Sequence, residues 1–151
     1  MPTPITPTPI TPTPTRRIRC VLDWPDIARA SMALAAALDG PVEAICPVGR
    51  GGLVPAAIVA YALQKPVLGY LPLEPSVATG FQLLTRGLLV IDDIADTGRT
   101  FAEIRACYPR AIYAAPYVKP QGKGYTDYWI EEIPQDVWLI FPWSPDDEEN
   151  R

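Results

Sequence analysis

The sequence contains no histidine. No Ser-His-Asp triad, Cys-His pair or histidine-ligated metal can be assembled from it. Acid–base chemistry therefore falls to Asp, Glu, Lys, Tyr or Cys. Cysteine is scarce too: Cys20, Cys46 and Cys107 lie far apart, odd in number, with no CxxC. A disulfide framework or a zinc site is not expected, and a reducing cytoplasm fits best. Basic residues are in the minority, 13 Lys and Arg against 17 Asp and Glu, for a net charge of −4. That balance argues against a general nucleic-acid binder. No apolar run approaches the roughly 20 residues of a membrane span, so no transmembrane segment is expected.

Proline, by contrast, is abundant. Much of it lies in "MPTPITPTPITPTPT", residues 1–15, built on a repeated PTPIT unit. Such a stretch has too little apolar surface to pack, and a disordered or polyproline-II-like tail is expected. It lacks a basic start followed by an apolar core, so it is not read as a signal peptide. Residues 16–143 are enough for one hydrophobic core, and residues 144–151, ending "DDEENR", read as an acidic tail.

Within the core, Asp23 to Gly40 reads as a helix: Asp23 or Trp24 near the cap, Pro25 in the first turn, Gly40 at the stop. Its apolar face is Ile27, Ala30, Leu34 and Leu38. Val42 to Val48 reads as a strand. Leu53 to Leu63 reads as a helix, apolar on nearly all sides and so expected to be buried. Strands are expected at Val67–Leu71, Gly87–Asp92, Ala111–Val118 and Val137–Phe141, and a helix from near Gly98 to Tyr108. The alternation predicts an α/β fold, a mostly parallel sheet with helices on both faces. Ligands of such sheets bind beyond the carboxyl ends of the strands. The turns Gly49–Gly52 and Thr97–Thr100 both fall there.

"DTGRT", Asp96 to Thr100, opens a helix on a glycine turn. Unpaired N–H groups, the helix dipole and two threonine hydroxyls make a phosphate cradle. It lacks the spacing of a P-loop or a GxGxxG fold, and alone such a turn serves equally as a helix cap. Asp92 and Asp93 precede it. Adjacent residues at a strand end point to opposite faces, so at least one should meet the ligand edge. There a carboxylate suits sugar hydroxyls or a hard cation such as Mg²⁺. "CPVGRGGLVP" offers a second anion site, with Arg50 among glycines; a guanidinium on a flexible backbone suits a pyrophosphate. A solvated arginine in a tight turn fits the same residues.

"VIDDIADTGRT" resembles the phosphoribosyl-pyrophosphate signature of type I phosphoribosyltransferases. "VGRGGLVPAAIVAYAL" resembles their pyrophosphate loop and the helix after it. "VKPQGKGYTDYWIEEIPQDVWLIFPW", Val118 to Trp143, is similar to the base-recognition end of bacterial xanthine-guanine phosphoribosyltransferases, and "DWPDIARASMALAAAL" to their first helix. The resemblance implies transfer of a phosphoribosyl group to a 6-oxopurine with Mg²⁺, a dimer or tetramer, and a small hood formed by the C-terminal segment. By match, Asp92 and Asp93 would bind the ribose hydroxyls and help place Mg²⁺. Thr97, Gly98, Arg99 and Thr100 would hold the 5′-phosphate, and Arg50 and Gly51 the pyrophosphate. Asp96 would accept the proton at purine N7. Lys119 would donate to the 6-oxo group, Trp138 would stack on the ring, and backbone groups near Leu139 would read the 2-position. Arg99 stands where the family usually has a small residue. The lid segment "PLEPSVATGFQLLTR" has one basic residue, Arg86, and Tyr70 near it follows Gly69 rather than Ser. A non-catalytic sensor of phosphoribosyl pyrophosphate or nucleotide on the same fold is the alternative.

Overall fold

The computed structural model describes residues 18–74, 78 and 86–144. The Pro/Thr-rich stretch, the acidic end and most of the lid segment lie outside the described residues. The described elements run β1 (Ile18–Val21), α1 (Trp24–Ala37), β2 (Ala44–Pro47), α2 (Leu53–Leu63), β3 (Leu88–Ile91), β4 (Ile94–Ala95), α3 (Arg99–Cys107), β5 (Ile112–Val118), a 3₁₀ turn (Lys123–Tyr125), β6 (Tyr128–Glu132) and β7 (Val137–Ile140).

Helix α1 starts where its sequence says it should. Asp23 accepts from the Asp26 N–H at 2.8 Å and Asp26 accepts from the Asp23 N–H at 3.0 Å, a reciprocal capping box with Pro25 in the first turn. Every strand pairing among the described residues is parallel. In the main sheet β2 pairs β3, β3 pairs β5, and β6 pairs the far edge of β5. Leu89 and Ile91 of β3 face α1 and α2, packing with Leu34, Ile45, Ala56 and Val59. Leu88 and Val90 face the other way, against Phe101, Ile104 and Tyr108. The period of two thus gives each sheet face its own helical cover.

Strand β4 continues the lane of β3 along β5. Ile91 lies opposite Ala114 and Ile94 opposite Tyr117, so one register carries across the gap and sets Asp92 and Asp93 opposite Ala115 and Pro116. Pro116 brings no N–H to the ladder. Beside it two main-chain N–H groups are met by side chains: the Asp93 N–H donates to Asp92 Oδ1 at 2.9 Å, and the Ile94 N–H to Asp93 Oδ1 at 2.8 Å.

Two expectations are corrected. Val67–Leu71 is not a strand. It makes one bridge, Val67 to Ile45, with Leu68 N–H donating to the Ile45 carbonyl; Pro66 and Gly69 flank the bridge and do not extend it. Helix α2 is not buried all round. Pro55, Ala56, Val59 and Ala60 face inward, while Leu53 and Tyr61 are 53% and 88% exposed, because α1 and the sheet cover one side only. A small second sheet also forms: β7 pairs the N-terminal strand β1, from Ile18 opposite Val137 to Val21 opposite Ile140. A third apolar cluster of Ile27, Ala30, Tyr117, Leu139 and Phe141 joins this sheet to the body. No helix among the described residues is long and apolar enough to cross a membrane.

Candidate active site

At the carboxyl ends of β2, β3 and β5 the chain encloses a cavity of about 650 Å³. It is lined by Asp92, Asp93 and Asp96, by the Gly49–Gly51 loop with Arg50, and by Lys119. Trp138, Leu139, Phe141 and Trp143 come from β7 and the residues after it. A smaller cavity of about 90 Å³ adjoins, lined by Thr97, Gly98, Arg99 and Thr100, and shares Asp92, Ile94 and Asp96 with the first. Every residue given a binding or catalytic role from the sequence lines one of the two. Asp92 and Asp93 were expected on opposite faces; both line the large cavity, because the strand ladder is interrupted where they stand.

The smaller cavity sits at the start of α3. Gly98 has φ 78° and no side chain caps the helix, so the first-turn N–H groups and the helix dipole are directed at it. A Cβ on Gly98 would run into the Tyr125 ring. Arg105 donates to the Tyr125 carbonyl at 3.1 Å and to both oxygens of Asp127, which braces the tyrosine from behind. The Arg99 guanidinium turns away: it donates to Glu103 at 3.0 Å and its side chain is 85% exposed. What Arg99 brings to the turn is its main chain, whose N–H meets Thr97 Oγ1 at 3.4 Å.

The Gly49–Gly51 loop is pressed on the acids. A Cβ on Gly51 would overlap the Asp93 carboxylate, so only glycine lets the loop come this close. Burial, and then the charge of Asp93 beside it, push Asp92 from 3.8 up to about 8. Two adjacent carboxylates that resist joint ionisation suit a divalent cation. Mg²⁺ is characteristically held by one or two carboxylates with substrate phosphates and water completing its shell. Among the described residues no group of three or more acidic or cysteine side chains surrounds a metal position.

At the other end, Lys119 is 4% exposed. Its Nζ donates to Asp96 Oδ2 at 2.9 Å and lies 5.7 Å from the Trp138 ring centroid. A buried ammonium needs such a partner. Lys119 is placed by the end of β5, where its N–H donates to the Ala95 carbonyl at 2.9 Å. Phe141 and Trp143 stack at 4.8 Å and 17°, adding apolar wall beside Trp138. Sequence reasoning missed these two and also Gln135, whose Nε2 donates to Asp96 Oδ1 at 2.7 Å. The aromatic pair "FPW" close behind Trp138 was the available signal; for Gln135 there was only its place in the "IPQDVW" turn.

No family model matches the chain. The xanthine-guanine phosphoribosyltransferase of Gluconobacter oxydans is 35% identical over 140 residues, covering 80% of this chain and 82% of the relative. That of Cereibacter sphaeroides is 37% identical over 142 residues, covering 82% and 85%. Among solved structures, a purine phosphoribosyltransferase from Pyrococcus horikoshii matches with a TM-score of 0.64 at 24% identity, over 83% of this chain and 94% of the other. That likeness speaks to the fold.

Proposed function

The chain belongs to the family of xanthine-guanine phosphoribosyltransferases, and on that premise we propose that it transfers the phosphoribosyl group of phosphoribosyl pyrophosphate to guanine or xanthine, and also to hypoxanthine, releasing pyrophosphate. The observation that carries this reading is the Lys119–Asp96 pair, 2.9 Å apart beside Trp138. The pair sets a donor next to an acceptor. A 6-oxopurine in its N7–H form presents the complement, an acceptor at O6 next to a donor at N7. A 6-amino group would turn N–H bonds toward an ammonium that has only donors.

In this reading Trp138 stacks on the base, with Phe141 and Trp143 helping to exclude water, and main-chain groups near Leu139 meet the 2-position. Thr97, Thr100 and the main chain of Gly98 and Arg99 hold the 5′-phosphate. Asp92 and Asp93 hold the ribose hydroxyls. As N9 forms its bond to ribose C1, the bond from C1 to pyrophosphate oxygen breaks and its electron pair leaves with the pyrophosphate. The N7 proton passes to Asp96. Charge growing on the leaving group meets Arg50 and the N–H groups of the Gly49–Gly51 loop. Mg²⁺, held at Asp92 and Asp93, would supply further Lewis-acid stabilisation of that charge.

We further propose residues 16–143 as the catalytic domain, a homo-oligomer as the working form and the cytoplasm as its location, in keeping with three cysteines that form no disulfide. The test is to combine the protein with Mg²⁺, phosphoribosyl pyrophosphate and each purine in turn, and to follow nucleotide formation. Nucleotide from guanine or xanthine is expected. Binding of phosphoribosyl pyrophosphate without turnover of any 6-oxopurine would overturn the reading in favour of a sensor.

A further inference from the structure

We infer that Gln135 is a positioning residue for Asp96, the tether that keeps this carboxylate aimed into the cavity when Lys119 turns to the base. The inference rests on the reading of Asp96 as acceptor of the N7 proton. Both Asp96 oxygens are engaged: Oδ2 by Lys119 Nζ at 2.9 Å and Oδ1 by Gln135 Nε2 at 2.7 Å. The two contacts differ in kind. Lys119 lines the cavity, whereas Gln135 is not among its lining residues and reaches Asp96 from outside it. If Lys119 donates to O6 and Asp96 receives the N7 proton, the ion pair must open or share. The Gln135 bond has no such need to change.

The amide is itself aimed. Gln135 Oε1 accepts the Gln121 N–H at 3.1 Å. Donor and acceptor of an amide sit on one carbon, so fastening the oxygen to main chain turns the nitrogen toward Asp96. Gln121 in turn belongs to a closed turn, with the Gly122 N–H donating to the Lys119 carbonyl at 2.9 Å. The β6–β7 turn, the turn after β5 and the signature loop are thus joined at one carboxylate. A proton acceptor displaced by an ångström loses about 10²-fold in rate.

Two variants separate tethering from stitching. Gln135→Glu keeps an acceptor for the Gln121 N–H but turns a carboxylate toward Asp96. Gln135→Met removes both bonds at similar length. Both should lower kcat by about 10²-fold, while affinity for phosphoribosyl pyrophosphate, read by calorimetry with Mg²⁺, stays near that of the parent. Near-parental kcat in Gln135→Glu would mean that only the stitch to Gln121 matters, and would overturn the inference. The cycle with Asp96→Asn adds a second readout. In that background Gln135→Met should cost little more, since coupled residues are non-additive; full multiplication of the two losses would also overturn it. Asp96→Asn with intact turnover would remove the proton-acceptor reading and the inference with it. An inactive Asp96→Asn beside two fully active Gln135 variants would remove the inference alone.

Discussion

Replacing Lys119 with methionine tests the base-recognition reading most directly. The change keeps length and apolar volume in a position that is 4% exposed and removes only the charged donor. It deletes the 2.9 Å bond to Asp96 and the cation over Trp138, and, in the proposed complex, the bond to O6. A hydrogen bond to a charged group contributes about 1.5–3 kcal/mol, and about 1.4 kcal/mol is a factor of ten. The expected loss in kcat/KM for guanine is therefore about 10- to 100-fold from the O6 contact alone. Disturbance of Asp96 adds to that, but it falls on any purine. The comparison base is 2-aminopurine, which has no 6-oxo group and so reports the Asp96 part by itself. Steady-state kcat/KM for both bases, on parent and Lys119→Met, gives a ratio of ratios in which the Asp96 part cancels. We expect guanine to lose about 10- to 100-fold relative to 2-aminopurine. Equal losses for the two bases would refute the reasoning, because Lys119 would then act only by holding Asp96.

Gly98→Ala should weaken phosphoribosyl-pyrophosphate binding and cost about 1–2 kcal/mol or more of stability, since φ is 78° and the new methyl meets the Tyr125 ring; calorimetry and thermal melting check both. Arg99→Ala should leave that affinity nearly unchanged, because the guanidinium is engaged with Glu103 in an exposed pair and the main-chain N–H remains; a tenfold weaker binding constant would return the side chain to the phosphate site. In the folded chain Asp26 is held below its usual 3.8 by the Asp23 N–H and then by Arg29. Its contribution is therefore complete above that ordinary value and is lost as the pH falls through the lower folded one, so Asp26→Asn should melt with a shallower dependence on acid pH than the parent.

The parts of this molecule that were legible in the sequence are those whose cause is local. Helix α1 announces itself through Asp23, Pro25 and an apolar stripe, and β3 through "LLVI" ending on two acids. The parts that were not legible depend on residues far apart. Nothing in the half-polar "IRCV" of β1 signals a strand; it becomes one because β7, more than a hundred residues on, offers a parallel edge. Nothing at Asp92 and Asp93 foretells that both enter one cavity; they do so where the lane of β3 and β4 is interrupted along β5. The same holds for the site. The residues proposed for phosphate and sugar lie in contiguous motifs and could be named in order. The residues proposed to meet the base, or to position those that do, are Asp96 after β4, Lys119 after β5 and Gln135 before β7, joined by bonds of 2.9 and 2.7 Å. In the proposed reading, purine selection would thus rest on three separate turns, and its geometry should respond to substitution of Gln135, a residue that does not line the cavity.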